Sequence, residues 1–123
     1  MQLEPFKTGI ILKTERYQEC LIFYSEILGL KVIFDKIEGD FAMSELAFGN
    51  SYLLIETGGQ YSPLPKGVDK NPIIIRFDVA DVTQVLALFK SHGIKAEYYT
   101  FDWGKIVLVY DPDGNPIEFK SEP

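Results

Sequence analysis

The spacing of apolar positions changes several times along the chain, and the changes outline the elements. Residues 9–12 (GIIL) are continuously apolar, as in a short buried strand. Thr14 follows as a capping residue, and Tyr17, Leu21, Tyr24 and Leu28 then recur at spacings of four, three and four. That is the stripe of an amphipathic helix, and Gly29 ends it with a residue free to take positive φ. Strands are expected over 31–36, 40–48 and 51–56, punctuated by Glu38-Gly39 and Gly49-Asn50. Residues 58–71 carry neither period and are dense in Gly and Pro, so they read as a connector. The pattern then restarts. A β-branched run over 72–79 leads to Asp81, a capping residue with Gln84 in the capping-box position. Val82, Val85, Leu86 and Phe89 form the buried stripe of a second helix ended by Gly93, and strands are expected over 95–100, 105–110 and 115–120.

The two halves also share a phrase. Residues 29–34 (GLKVIF) match residues 93–98 (GIKAEY) at an offset of 64, and Gly49 and Gly114, each just before a final strand, are offset by 65. The chain therefore reads as α+β, with two tandem βαβββ units: unit one over 6–57, a connector over 58–71, and unit two over 72–121.

At 123 residues the chain suits one ordinary domain, and 46% hydrophobic content with 14% aromatics argues for a packed globule. A net charge of −6 repels phosphate backbones, so nucleic acid is not an expected partner. No apolar run approaches the roughly 20 residues needed to span a bilayer, and residues 1–7 lack a signal-peptide pattern, so the expectation is cytoplasmic with no membrane contact. A single cysteine, Cys20, allows neither an intrachain disulfide nor a thiolate cluster, and it reads as a small buried residue. The one histidine, His92, reads as a solvated helix end, and no nucleophile elbow, phosphate loop or CxxC is present.

The βαβββ–βαβββ order, the phrase FYSEILGL (residues 23–30) and the closing DPDGNPIEF (residues 111–119) together resemble the vicinal oxygen chelate superfamily. That group holds glyoxalase I, extradiol dioxygenases, fosfomycin-resistance enzymes and bleomycin-resistance proteins, and the likeness runs from about Phe6 to Phe119. The resemblance implies curved mixed sheets with a cleft, paired across a homodimer, and a divalent metal held by His or Glu from the first and last strand of each unit. Carried onto this chain, the first-strand positions fall on Lys7 (Thr8 if shifted by one) and Ile74, and the last-strand positions on Leu53 and Glu118. Only Glu118 can donate to a metal, whereas about three His or carboxylate ligands are needed. Asp111 and Asp113 read as turn formers. No metal and no cofactor are expected.

Strand alternation then sorts the cleft. Lys7, Gly9 and Ile11 share one face; Ile74 and Arg76 share another, with Ile73, Ile75 and Phe77 behind them; Glu118 faces the cleft between Ile117 and Phe119. A lone buried carboxylate is costly, so Glu118 should pair with Lys7 or Arg76. Phe101 and Trp103, in the sequence Phe-Asp-Trp-Gly, stand where related drug-binding proteins carry an aromatic loop. The candidate ligand-binding residues are Lys7, Ile74, Arg76, Phe101, Trp103 and Glu118. The favoured expectation is a metal-free, non-catalytic binder of the bleomycin-resistance type, sequestering an apolar, aromatic or cationic compound in a dimer-interface cleft. The alternatives are a lyase, isomerase or transferase of the same superfamily, and an interaction protein whose dimer is the working surface.

Overall fold

The computed structural model describes residues 1–123 and divides into two units, residues 1–61 and 62–123. In the first unit, strand β1 (Gly9–Thr14) leads into helix α1 (Tyr17–Ile22), which continues as a π-helical turn over Phe23–Ile27. Strands β2 (Val32–Glu38), β3 (Phe41–Phe48) and β4 (Ser51–Thr57) follow. The sheet order is β1-β4-β3-β2, with β1 parallel to β4 and the other neighbours antiparallel. The second unit repeats the plan. It comprises β5 (Ile75–Asp78), α2 (Val82–Ser91), β6 (Glu97–Phe101), β7 (Gly104–Tyr110) and β8 (Pro116–Ser121), in the order β5-β8-β7-β6 with β5 parallel to β8. The fold is thus α+β, with two four-stranded mixed sheets and one helix in each unit. No helix is long and apolar enough to cross a membrane.

In each unit the helix covers one face of its sheet. Tyr17, Cys20, Phe23 and Tyr24 are buried against the side of the first sheet that carries Leu46, Leu53 and Ile55. The helical stripe therefore differs from the expected one, because Leu21 and Leu28 are only half-buried. The π-helical turn is the reason at Leu28, which follows it; Leu21 lies in the regular α-helical stretch before it. Leu28 N–H donates to the Phe23 carbonyl at 3.0 Å, five residues back rather than four. The wider turn lets the adjacent rings of Phe23 and Tyr24 both reach the core, where they meet edge to face at 5.0 Å. It also accounts for an irregularity in the repeat: the helix N-caps Arg16 and Asp81 are 65 residues apart, but Gly29 and Gly93 only 64. The first unit's helix carries one extra residue, and the π turn absorbs it.

The expected caps divide. Asp81 accepts the Thr83 N–H at 2.9 Å and caps α2, whereas α1 begins at Arg16 with no side-chain cap. Thr14 is buried at the end of β1 and accepts the Arg16 N–H at 2.8 Å, fixing the strand-to-helix corner two residues before the helix. In the second unit Val82 and Phe89 are buried against Val107, Val109, Ile117 and Phe119, and the Phe119 ring lies 5.2 Å from Phe77 and 5.5 Å from Phe89.

The turn before β8 is built by its aspartates. Asp111 accepts the N–H groups of Asp113 and Asn115, both at 2.9 Å, and the Asn115 amide besides. Asp113 is fully buried and accepts the Ser62 N–H at 3.3 Å, with the Lys66 ammonium 3.5 Å from its second oxygen. Lys66 N–H donates to the Gly114 carbonyl at 2.7 Å, so this turn holds residues 62–66 against the rest of the second unit. Gly114 is required there twice over: its φ is +79°, and a Cβ would stand 2.5 Å from the Leu64 carbonyl oxygen.

Candidate functional site

The side of each sheet away from its helix is open, and strand register says which residues stand on it, because directly paired residues project to the same side. In the second unit one row across the sheet reads Arg76, Glu118, Leu108, Glu97, and the next reads Asp78, Lys120, Ile106, Tyr99. Ile117 and Phe119, on either side of Glu118, are buried on the helix side. The Arg76 Nε donates to Glu118 Oε1 at 2.5 Å; Glu118 is 16% exposed and Arg76 45%. Of the two partners expected for Glu118, the structure uses Arg76. Ile74, two residues before Arg76, is half-exposed just ahead of β5.

Along the edge strand β6 an aromatic row extends from that sheet. Tyr99 and Phe101 are spaced by two residues and their rings stack at 6.5 Å. Asp102 and Trp103 form the tight turn into β7, which folds the Trp103 ring back onto Phe101 at 4.9 Å, 4° from parallel. All three rings are almost half exposed, at 42%, 47% and 49%. At the inner end of the row the Tyr99 hydroxyl donates to Glu97 at 3.0 Å, and this bond to a carboxylate raises the Tyr99 pKa above its ordinary 10.0. A cavity of about 440 Å³ adjoins the row, lined by Pro65, Ile94, Lys95, Glu97, Leu108 and Tyr110. Glu97, Leu108 and Tyr110 escaped sequence reasoning. The signal was present in the antiparallel pairing of β6 with β7 and of β7 with β8, which aligns Glu97 and Leu108 with Glu118 once the turn lengths are known.

The first unit's open face has a different lining. Its rows read Ile11, Leu54, Glu45, Phe34 and Lys13, Glu56, Met43, Lys36. Lys13 bonds Glu56 at 2.7 Å. The Lys7 ammonium lies 3.7 Å from Glu45 and 5.0 Å from the centre of the Tyr52 ring. Lys7 thus takes Glu45, not Glu118, as its partner. The Tyr52 ring lies across Gly9, where a Cβ would meet ring atoms at 2.1 Å. Leu53, expected on the open side, is fully buried on the helix side. The parallel registers explain the correction: Arg76 pairs with Glu118 as Ile11 pairs with Leu54, so Leu54 is the counterpart of Glu118. Counting from Gly49 and Gly114 stops one residue short on β4: both glycines stand two residues before the first paired residue, Ser51 and Pro116, but the matching row lies at the fourth residue of β4 and the third of β8.

A protein-family model for the Glyoxalase/Bleomycin resistance protein/Dioxygenase superfamily matches residues 10–119. The chain belongs to that superfamily. Among curated proteins no significant match is found. Solved structures of similar fold include a glyoxalase family protein from Enterococcus faecalis (25% identity, 95% of this chain and 96% of that one, TM-score 0.72). They also include TnmS3, an antibiotic binding protein from Streptomyces sp. CB03234 (16% identity, all of both chains, TM-score 0.77). A third is the fosfomycin resistance protein FosX from Listeria monocytogenes, solved with Mn(II) and sulfate (14% identity, 94% and 91% covered, TM-score 0.74).

The metal this superfamily implies does not fit the residues present. Of the positions carried over, Lys7, Ile74 and Leu53 offer no donor suited to a divalent cation, nor does Leu54, the register counterpart of Glu118, and Glu118 is engaged by a guanidinium. Nowhere do three His, Cys, Asp or Glu side chains gather as a ligand set. Asp111 and Asp113 lie close in sequence, but Asp111 is used by its own turn and Asp113 faces the Lys66 ammonium. His92 is exposed at the end of α2, and Cys20 is buried beside Thr14.

Proposed function

We propose that this member of the superfamily is a metal-free binding protein for a small planar or cationic molecule, held on the open sheet faces of a homodimer. The observation that carries the reading is the row Tyr99, Phe101, Trp103. Three rings stack on one another yet stay nearly half exposed, and the Glu97 carboxylate stands at their inner end. Such a row offers a free ring face to a flat ligand and a negative group to a cationic one. Phe101 and Trp103 supply the stacking, Arg76 and Glu118 the polar floor with Ile74 at its margin, and Lys7 the polar group of the other unit's face. The likeness in fold to an antibiotic binding protein is consistent with this use. The apolar edge strand β2, where Ile33, Phe34 and Ile37 are all more than half exposed, supports a partner subunit. The scaffold of each unit, with its core on one side and a chemically mixed face on the other, suits both residues 6–57 and 72–121 to present such a face.

Trp103 is the only tryptophan, so its emission reports this site without ambiguity. A thermal-shift screen of flat aromatic and cationic compounds should yield ligands that quench or shift that emission, and Trp103→Ala should weaken them by about 1–3 kcal/mol. Elemental analysis before and after incubation with zinc, nickel, manganese and iron should show no stoichiometric metal. One tightly bound metal per chain would instead favour a lyase, isomerase or transferase of the superfamily.

A further inference from the structure

Of the three lysine–carboxylate pairs on the first unit's open face, two differ in kind. Lys13 reaches Glu56 at 2.7 Å, a closed charge-assisted hydrogen bond. Lys7 stands 3.7 Å from Glu45 and 5.0 Å from the centre of the Tyr52 ring, between the two groups and closed onto neither. Lys7 belongs to the segment before β1 begins at Gly9, and its side chain is 47% exposed; Glu45 is only 25% exposed. The cradle is therefore the fixed part and the lysine the movable one. Tyr52 is held by the sheet: its N–H donates to the Thr8 carbonyl at 3.2 Å and its ring rests on the bare backbone of Gly9. Glu45 is set by pairing with Leu54 on β4 and with Phe34 on β2.

An aromatic face and a carboxylate converging on one cation are the elements that recognise an ammonium group. Beside them on the same face lie Ile11 and Leu54, paired across β1 and β4, with Ile11 57% exposed. We infer that Tyr52 and Glu45 form a binding site for an alkylammonium group whose apolar body lies on Ile11 and Leu54, and that Lys7 occupies it as a tethered competitor. The inference rests on the reading of the open faces as binding surfaces, and it assigns Lys7 a different part in it. Lys7 holds the site until a ligand amine displaces it, and the displaced lysine is free to hydrate at little cost because it is already half in water. A competitor held by one exposed cation–π contact and one half-exposed ion pair lowers apparent affinity by about 3- to 30-fold.

The test uses the full chain and n-butylammonium as probe, with binding read from the ring signals of Tyr52 in ¹H–¹³C NMR spectra, assigned with Tyr52→Phe. Lys7→Ala should bind the probe about 3- to 30-fold more tightly than wild type. Lys13→Ala changes net charge equally and should show no such gain. Adding Glu45→Gln to Lys7→Ala, which leaves the Tyr52 ring in place as reporter, should abolish the gain. Equal affinity in wild type and Lys7→Ala overturns the inference, and so does an equal gain in Lys13→Ala, which would reduce the effect to overall charge. The readout does not involve Trp103. A silent Trp103 with every flat ligand counts against the proposed function alone, and an unchanged Tyr52 counts against this site alone.

Discussion

Replacing Arg76 should destabilise the protein more than replacing Glu118, although the two share one bond. The ion pair joins two neighbours of one row, with Arg76 Nε 2.5 Å from Glu118 Oε1. Its members are unequally wet: Glu118 keeps 16% of its side-chain surface in water and Arg76 45%. Glu118→Gln leaves a guanidinium that can hydrate where it stands, so the cost should be about 0.5–1 kcal/mol, as for a partly exposed pair. Arg76→Met leaves a mostly buried carboxylate without its donor, and such a group costs about 1–3 kcal/mol. A fully buried pair would cost about 3–5 kcal/mol on breaking, and the exposure of Arg76 excludes that range. The double variant should recover part of the loss, with a coupling energy of about 1 kcal/mol. Urea unfolding of the four proteins, with unchanged m-values, measures all these terms. If Glu118→Gln proves the costlier change, or the coupling is zero, the pair is not shielded as the register implies and the reasoning fails.

Three further outcomes are expected. Sizing or light scattering at micromolar concentration should give about twice the chain mass, and a clean monomer would remove the homodimer from the proposed function. The hydrogen bonds from the Thr83 side chain and backbone hold the Asp81 carboxyl below its ordinary 3.8, so the cap stabilises above that pH and is lost as pH falls through the lower folded value. Asp81→Asn keeps a capping oxygen but removes the titrating carboxyl, so it should flatten the acid limb of a stability–pH curve, and an unchanged limb would refute the carboxylate's contribution. Gly114→Ala forces a Cβ into the left-handed region and within 2.5 Å of the Leu64 carbonyl oxygen, so unfolding should ease by more than about 1 kcal/mol, detectable by calorimetry.

Much of the fold was legible because each element carries its own local signal. The strands over 40–48, 51–56 and 105–110 fall within one residue of β3, β4 and β7, since the turn glycines mark them on both sides. The strand expected over 72–79 shrinks to Ile75–Asp78, because residues 72–74 are apolar without pairing in the ladder. The helical stripe of the first unit misled at Leu28, since periodicity presumes 3.6 residues per turn and the π turn before that residue breaks the count. At the site, Arg76 and Glu118 were readable together because they occupy matching alternate positions on neighbouring parallel strands. Leu53 was misplaced because the row matching Glu118 lies one residue farther along β4 than along β8, which alternation does not reveal. Glu97, Tyr110 and the Glu45–Tyr52 cradle were hidden for the same reason: each depends on cross-strand partners remote in sequence.

Strand β8 assigns its two kinds of inheritance to opposite sides. Ile117 and Phe119 answer to the packing of α2, while Glu118 between them answers only to whatever lies on the open face. Substitution at residue 118, or at its counterpart Leu54, can therefore explore new chemistry while the interior is left untouched. Insertion or deletion cannot. One residue more or fewer within β8 would swing both aromatic and aliphatic anchors into water and drive a carboxylate into the interior. In a lineage built on this strand, side-chain identity on the outer face is free to drift, and strand length is the quantity held fixed.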